Sequence, residues 1–455
     1  MKKQIVLISL LWAAPLLLGG AIGQAGLAYG EEAEKETRKV PAMSERVYKT
    51  LAEAQLLIDP DSVQVEEGEE KPDVVANPQA AIEMLQKLLE RRGINSYEVA
   101  QVWSSLAFAY YTVEDIPNTI KSYENVLKET ITEALELTAL RALFQLHYSE
   151  ENYRESLKYI DRWQALKGTP DADVTYIKAT VYFQLEDYPN ALKSALEVEQ
   201  IALASDRTIK ENWWYLQVVL YNELRQYDNV INVLEKLIVK FPKKQYWMHL
   251  AGMYAETNQD DKSLSAYYAA YTQGMFEKES EVVMLAQRLL NAEVPYEAAQ
   301  VLEKGFKAGL VEENEKNMKL LATAYTMSQE SSKAIDAWRD AAKYAEDGES
   351  SYRLAQALSQ QDRHKEAVEA YKSALDQGGL KDVPDVQFWL GISLMQLERW
   401  DAATAAFREA AKDKDKEKNA RQYIRYIAGE KRRQEEIRKM LETAQVTPPA
   451  PRGDD

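Results

Sequence analysis

There is no cysteine in this 455-residue chain. That single absence excludes disulfides, thiolate metal sites, iron–sulfur ligation, thiol catalysis and a lipid-modified N-terminal Cys. Histidine is almost as scarce: His147, His249 and His364 stand far apart, outside metal-ligand spacing of one another. No G-x-x-x-x-G-K-[ST], G-x-S-x-G or H-E-x-x-H pattern occurs. No catalytic residue, metal site or cofactor is expected, and the chain reads as a non-enzyme. Proline and glycine are sparse, at 14 and 18 residues, which leaves few breaks for an element to end on. Positive charge is also short, with 56 Lys and Arg against 73 Asp and Glu and a net charge of −17. An acidic chain repels a phosphate backbone, so nucleic acid is not an expected partner.

What is present is helix. Ala, Leu, Glu, Lys and Gln dominate, and apolar residues recur three and four apart from near Ser44, a candidate N-cap, to about Met440. The expected fold class is all-α. Before this region, Lys2 and Lys3 lead into an apolar run from Ile5 to Leu18 and then small residues ending at Gly30. This is the order of a signal peptide over 1–30. Cleavage removes two lysines, taking −17 to −19, and leaves no integral membrane span; the alternative is an uncleaved N-terminal anchor. The expected fate is export from the cytoplasm.

The helical region repeats itself. Small or packing residues recur at Ala107, Phe144, Ala179, Val218, Ala251, Ala286, Ala322, Ala355 and Gly391, in steps of 37, 35, 39, 33, 35, 36, 33 and 36. Twelve residues after each come Thr119, Ser156, Ala191, Val230, Ser263, Ala298, Ala334, Ala367 and Ala403. Large apolar residues such as Tyr123, Leu234, Trp338 and Phe407 follow four residues later. Antiparallel helices approach closely only where side chains are small, and large ones fill the space between pairs. Phe144 and Gly305 depart from the pattern, one too large and one too small for its place. Trp214, Val218, Tyr221, Tyr227, Leu234 and Pro242, and again Phe388, Leu390, Gly391, Trp400, Ala403, Phe407 and Ala410, carry spacing and residue types that resemble the tetratricopeptide repeat (TPR). The resemblance covers some four-fifths of the chain. It implies a right-handed α-solenoid of about ten helix-turn-helix repeats.

The expected organisation is a signal peptide at 1–30, a charged segment at 31–43, a repeat array at 44–411, a charged capping helix at 412–441 and a disordered Pro-rich tail at 442–455. The first repeat pairs Ala52 with Ala81 and is interrupted by an acidic loop over 59–78. The capping helix shows Tyr423, Ile424, Ile427 and Ile437 as its apolar stripe. It is locally basic, with eleven basic and six acidic residues in 412–439, which makes peripheral membrane association or an acidic partner the alternative to a solvated cap.

A solenoid makes its own binding surface, because the first helices of successive repeats line one face. The repeat frame puts Phe108, Tyr111, Tyr148, Tyr176, Phe183 and Tyr215 there, among Arg141, Gln145, Asn212 and Asn222. Tyr and Arg are frequent interface anchors, though some rings also suit packing between repeats. The basic pair that clamps a terminal carboxylate in chaperone-binding TPR domains has no counterpart. Two blocks, ETRKVPAMSERVYKTLAEAQ and ARQYIRYIAGEKRRQEEI, resemble those of periplasmic TPR proteins associated with TonB–ExbB–ExbD systems of Gram-negative bacteria. That resemblance implies a scaffold accessory to TonB-dependent uptake of iron chelates, with TonB, ExbB, ExbD or an outer-membrane receptor as protein partners. The alternatives are a scaffold for envelope assembly or for polysaccharide or pilus export, and a sugar-binding solenoid.

Overall fold

The computed structural model describes residues 38–62 and 75–446. The expected signal peptide, most of the acidic loop and the end of the tail lie outside the described residues. Those described form 21 α-helices and one short 3₁₀ turn at Pro60–Ser62, with no strand among them. The all-α expectation holds, and the chain is an α-solenoid of ten helical pairs followed by a long final helix.

The pairs fall into two compact units, the first ending at Thr169 and the second beginning at Pro170. The first holds α1 (Glu45–Ile58), α2 (Pro78–Leu89), α3 (Ser96–Thr112), α4 (Ile116–Val126), α5 (Glu133–Ser149) and α6 (Tyr153–Lys167). The second continues with α7 (Ala172–Gln184), α8 (Tyr188–Ala204), α9 (Glu211–Glu223), α10 (Tyr227–Lys240), α11 (Lys244–Glu256), α12 (Asp260–Thr272) and α13 (Glu279–Asn291). It ends with α14 (Pro295–Lys307), α15 (Glu315–Met327), α16 (Ser331–Tyr344), α17 (Glu349–Gln360), α18 (His364–Gln377), α19 (Val383–Gln396), α20 (Trp400–Ala410) and α21 (Lys414–Val446).

The register read from small residues is the register of the packing. All nine small or packing positions of the first helices and all nine of the second helices are buried. At Gly391 the approach is close, since a Cβ would lie 2.8 Å from the Phe407 ring. The two departures each have a local reason. Phe144 is accommodated with its backbone carbonyl accepting a hydrogen bond from Ser156 Oγ at 2.8 Å. Gly305 is small because Val311 folds back over it, where a Cβ would come within 2.6 Å of Val311 Cγ2.

Seven residues beyond each small position of a first helix, the chain turns through the left-handed region without glycine. The residues are Glu114, Glu151, Glu186, Arg225, Asn258, Glu293, Gln329, Asp362 and Glu398, with φ between 53° and 61°. In each turn the next residue donates its backbone N–H five residues back, as in Asp115 to Tyr110 at 2.9 Å and Arg399 to Leu394 at 2.9 Å. This Schellman closure satisfies a helix-end carbonyl. It outweighs a left-handed strain of about 1–2 kcal/mol for a residue bearing a Cβ.

The ends of the array depart from expectation. Ala52 is exposed, and Ala54 is the buried contact of α1. Ser44 does not cap α1 with its side chain; its N–H and Oγ both donate to Glu98, at 2.7 and 2.6 Å. At the other end α21 runs to Val446, past the boundary at 441, and Ile437 is 47% exposed instead of joining the packed stripe. Residues 414–446 carry strong helix formers and no proline, so the helix outlasts the repeats that it covers.

Candidate functional site

Each first helix buries the face that carries its small residue and turns another stripe outward. On α5 that stripe contains Arg141, Gln145 and Tyr148, four and three residues apart and so in line. Arg141 is exposed, with its guanidinium 5.3 Å from the ring centroid of the buried Trp163 on α6. A cation seated on an indole face keeps its planar fork free for a carboxylate or carbonyl. Tyr148 is half-buried, edge-on to Tyr153 at 5.7 Å. Phe108 and Tyr111, half-buried on α3, rest respectively on the α1–α3 core and on the core shared by α3, α4 and α5.

Five further candidates lie in the second unit. Tyr176 is half-buried against the cores beneath α7 and α9. Phe183 tilts against Tyr188 at 5.9 Å, and Tyr215 against Tyr246 at 6.0 Å. Asn212 and Asn222 are exposed on α9. All six rings therefore pack against neighbours and offer only part of their surface, while Arg141, Asn212 and Asn222 supply polar groups in the open. The candidates divide evenly, five to a unit.

Other exposed side chains of first helices stand beside the stripe, one residue off its positions in the repeat frame. Met284, Met327 and Trp389 are 36%, 48% and 40% exposed. Between them in kind is Gly252 on α11, where an added Cβ would meet nothing within 4 Å. Their one-residue offset from the positions of Tyr176 and Tyr111 in the repeat frame leaves them outside the aromatic stripe read from the sequence. Methionine suits an adaptable apolar contact because it is unbranched and polarizable. At the N-terminal ends of α13 and α15 an open hollow of about 900 Å³ is lined by both signs of charge, Lys278, Glu279, Glu315 and Lys316 among them.

Electrostatics binds one repeat to the next more than it prepares chemistry. Acids in the first turns of first helices reach groups 26 to 38 residues away, and Glu136 also reaches Arg38, 98 residues away. Glu136 accepts from Arg162 at 2.6 Å and from Arg38. Burial pushes the Glu136 carboxyl up, but those two guanidinium groups outweigh it and hold it below its ordinary value. Asp173 behaves likewise, with burial opposed by Lys210 at 2.6 Å and Arg207 at 2.8 Å. Asp385 accepts from Tyr352 and Lys416, and Glu211 from Lys243 at 2.6 Å and from Tyr246. Tyr246 is pushed up to about 12 by burial and by that carboxylate.

His147 is buried and stacked on Tyr159, centroids 5.4 Å apart and planes within 9°. Burial pushes its imidazole below the ordinary value despite the nearby Glu124, Glu155 and Glu150. No group of three or more His, Cys, Asp or Glu that could hold a metal occurs among the described residues. No helix among them is long and apolar enough to cross a membrane.

Residues 319–381 and 352–418 match the family model of the tetratricopeptide repeat, so the chain contains TPR repeats over that stretch. No curated protein matches the chain. Among solved structures, MamA is 19% identical, with 38% of this chain and 98% of that one covered and a TM-score of 0.31. The C-terminal part of a TPR repeat-containing protein from Cytophaga hutchinsonii is 17% identical, covers 54% of this chain and 98% of its own, and has a TM-score of 0.34. YrrB, a TPR protein described as having an unusual peptide-binding site, is 17% identical over 42% of this chain and 97% of its own, with a TM-score of 0.33.

Proposed function

We propose that this chain is a non-catalytic scaffold that holds protein partners along the outward stripe of its first helices. TPR repeats mediate protein–protein interaction, and the coarse reading rests on their presence here. The observation that carries the location is Arg141, exposed and seated over buried Trp163, in line with Gln145 and Tyr148. An orienting cation beside half-buried rings gives a partner both a fixed charge and apolar purchase. Tyr176, Phe183, Asn212, Tyr215 and Asn222 extend the same residue chemistry in the second unit.

The finer reading is a periplasmic protein accessory to TonB-dependent iron-chelate uptake, exported by a signal peptide over 1–30. The terminal blocks at 36–55 and 420–437 are its support. Replacing Tyr148, Tyr176 and Tyr215 together by Ala is expected to leave the helical circular dichroism intact. The same variant should weaken binding to purified TonB and ExbD periplasmic domains at least tenfold by calorimetry. Unchanged binding would sink the stripe. Absence of any TonB or ExbD binding by the unaltered protein, with recovery of assembly or export components from envelope extracts, would move the scaffold to that complex. Fractionation and N-terminal sequencing check the location: a mature chain starting near Glu31 is expected.

A further inference from the structure

The final helix is longer than its task as a cap. Its inner side is fixed to the last pair: Ala420 and Ile427 are buried, and Tyr423 stacks on Phe407 with centroids 5.2 Å apart. Lys431 Nζ lies 2.7 Å from Asp401, and Trp400 Nε1 donates to Gln434 at 3.0 Å. Beyond Gln434 the helix continues for twelve residues, and Arg438 there pairs with Glu435 and Glu442 of the same helix. Thirty-three residues amount to about 50 Å of helix, of which the array supports the first two-thirds.

The outer side carries a row of cations, with the exposed Glu436, four residues past Arg432, at its far end. Lys414, Lys418, Arg425 and Arg432 are four, seven and seven residues apart, which aligns them on one ridge about 27 Å long. All four are exposed, and no acid pairs with any of them among the described residues. Along the strip beside them Tyr426, Ile437 and Met440 are 54%, 47% and 70% exposed. Residues 412–439 hold a surplus of five positive charges in a chain whose total is −17. The rest of the molecule is therefore repelled by an anionic surface, and this ridge is the part drawn to it.

From this geometry we propose that the outer face of α21 is a docking surface for an anionic phospholipid bilayer. The ridge lies along the headgroups and Tyr426, Ile437 and Met440 enter the interface. A straight row of unpaired cations matches a laterally continuous negative surface, whereas a protein partner would have to supply acids in the same register. Ile437 and Met440 stand together with Leu441, 60% exposed, on the free end of the helix, and Tyr426 stands apart from them; this apolar edge beside a basic ridge suits insertion between lipids. The surface is separate from the first-helix stripe, so its failure leaves the scaffold reading in place.

The test is vesicle sedimentation with the chain from Glu31 onward, which keeps every described helix. Vesicles of phosphatidylcholine containing about 30% phosphatidylglycerol are expected to bind it at least tenfold better than phosphatidylcholine alone, and 0.5 M salt should abolish the difference. Lys418→Glu, Arg425→Glu and Arg432→Glu combined should lose about tenfold or more, and Ile437→Ser with Met440→Ser about threefold, with circular dichroism unchanged in both. Equal binding to the two vesicle types, no binding to either, or insensitivity to the charge reversals would overturn the proposal. So would a lipid-free dimer, seen by sedimentation velocity, that Ile437→Ser with Met440→Ser converts to monomer, because the strip would then belong to a second copy.

Discussion

The two faces of the same first helices follow opposite rules. On the inner seam the residue at the repeat position is Ala in six of nine repeats, and Phe, Val or Gly in the others, and every one is buried. One residue further along, on the outer stripe, the side chains are Phe108, Gln145, Thr180, Val219, Gly252, Gln287, Thr323, Gln356 and Ile392, with no common chemistry. The seam is constrained because two backbones meet there and a methyl group too many displaces a ring. Internal contacts constrain the stripe unevenly: Thr180 is buried and Phe108 and Ile392 rest on the core, while Gly252 and Gln287 are exposed. The fold is thus written on one side of the helix, and the residues with no common chemistry stand about 100° round the axis from it.

The most severe way to break this contrast is at the seam. Phe407 is fully buried between Phe388 and Tyr423, with centroids at 5.6 and 5.2 Å. Phe407→Ala is expected to cost about 3–5 kcal/mol in urea unfolding. Gly391→Ala pushes a methyl into the same ring and should cost about 1–3 kcal/mol. Combining it with Phe407→Leu should recover part of that loss, so the two would not add.

Next comes the ionic tie at the end of a seam. Glu136→Gln should cost about 1–3 kcal/mol at pH 7, because a buried charge-assisted pair is lost. Folding holds the carboxyls of Glu136 and Asp173 below their ordinary values of 4.5 and 3.8. Their stabilisation is therefore complete at neutral pH and is lost as pH falls through those values toward the folded ones. Thermal melts of the Glu136→Gln variant and the unaltered protein should converge across that range. A gap that stays constant down to pH 2 would refute the ionic account.

Smaller effects sharpen the comparison. At the left-handed Glu151, substitution by Gly relieves strain but loosens the unfolded chain, for a net gain of up to about 1 kcal/mol. On the stripe, Asn212→Ala with Asn222→Ala should alter stability by no more than about 0.5 kcal/mol. A larger loss would show that the outer face also holds the fold together.

Most of the seam was legible because its spacing is set by local geometry. The steps from Ala107 to Gly391 are repeated without change by the left-handed turns from Glu114 to Glu398. Legibility ended where a neighbour was missing. The long connection between α1 and α2 removes the twelve-residue rule that fixes register elsewhere, so the buried small residue of α1 is Ala54, two residues from the expected Ala52. Ile437 continues the helical period of Tyr423 and Ile427, but the array beneath it has ended. Residue type is visible in a sequence, and the presence of an opposing surface is not. For the same reason the candidate rings were placed on the right helices while their half-buried state was not readable. The repeat frame locates a side chain on a helix without saying how closely the next pair stands. Partner identity lies further off still, since the stripe residues contact nothing within the chain that would reveal it.

The nine glycine-free turns have a mechanical consequence. Each pair closes on itself through a Schellman turn, and a pair of this kind borders only its neighbours along the stack. Stretched between its ends, a molecule built this way gives way hairpin by hairpin instead of all at once. Each rupture pays out on the order of 100 Å of chain.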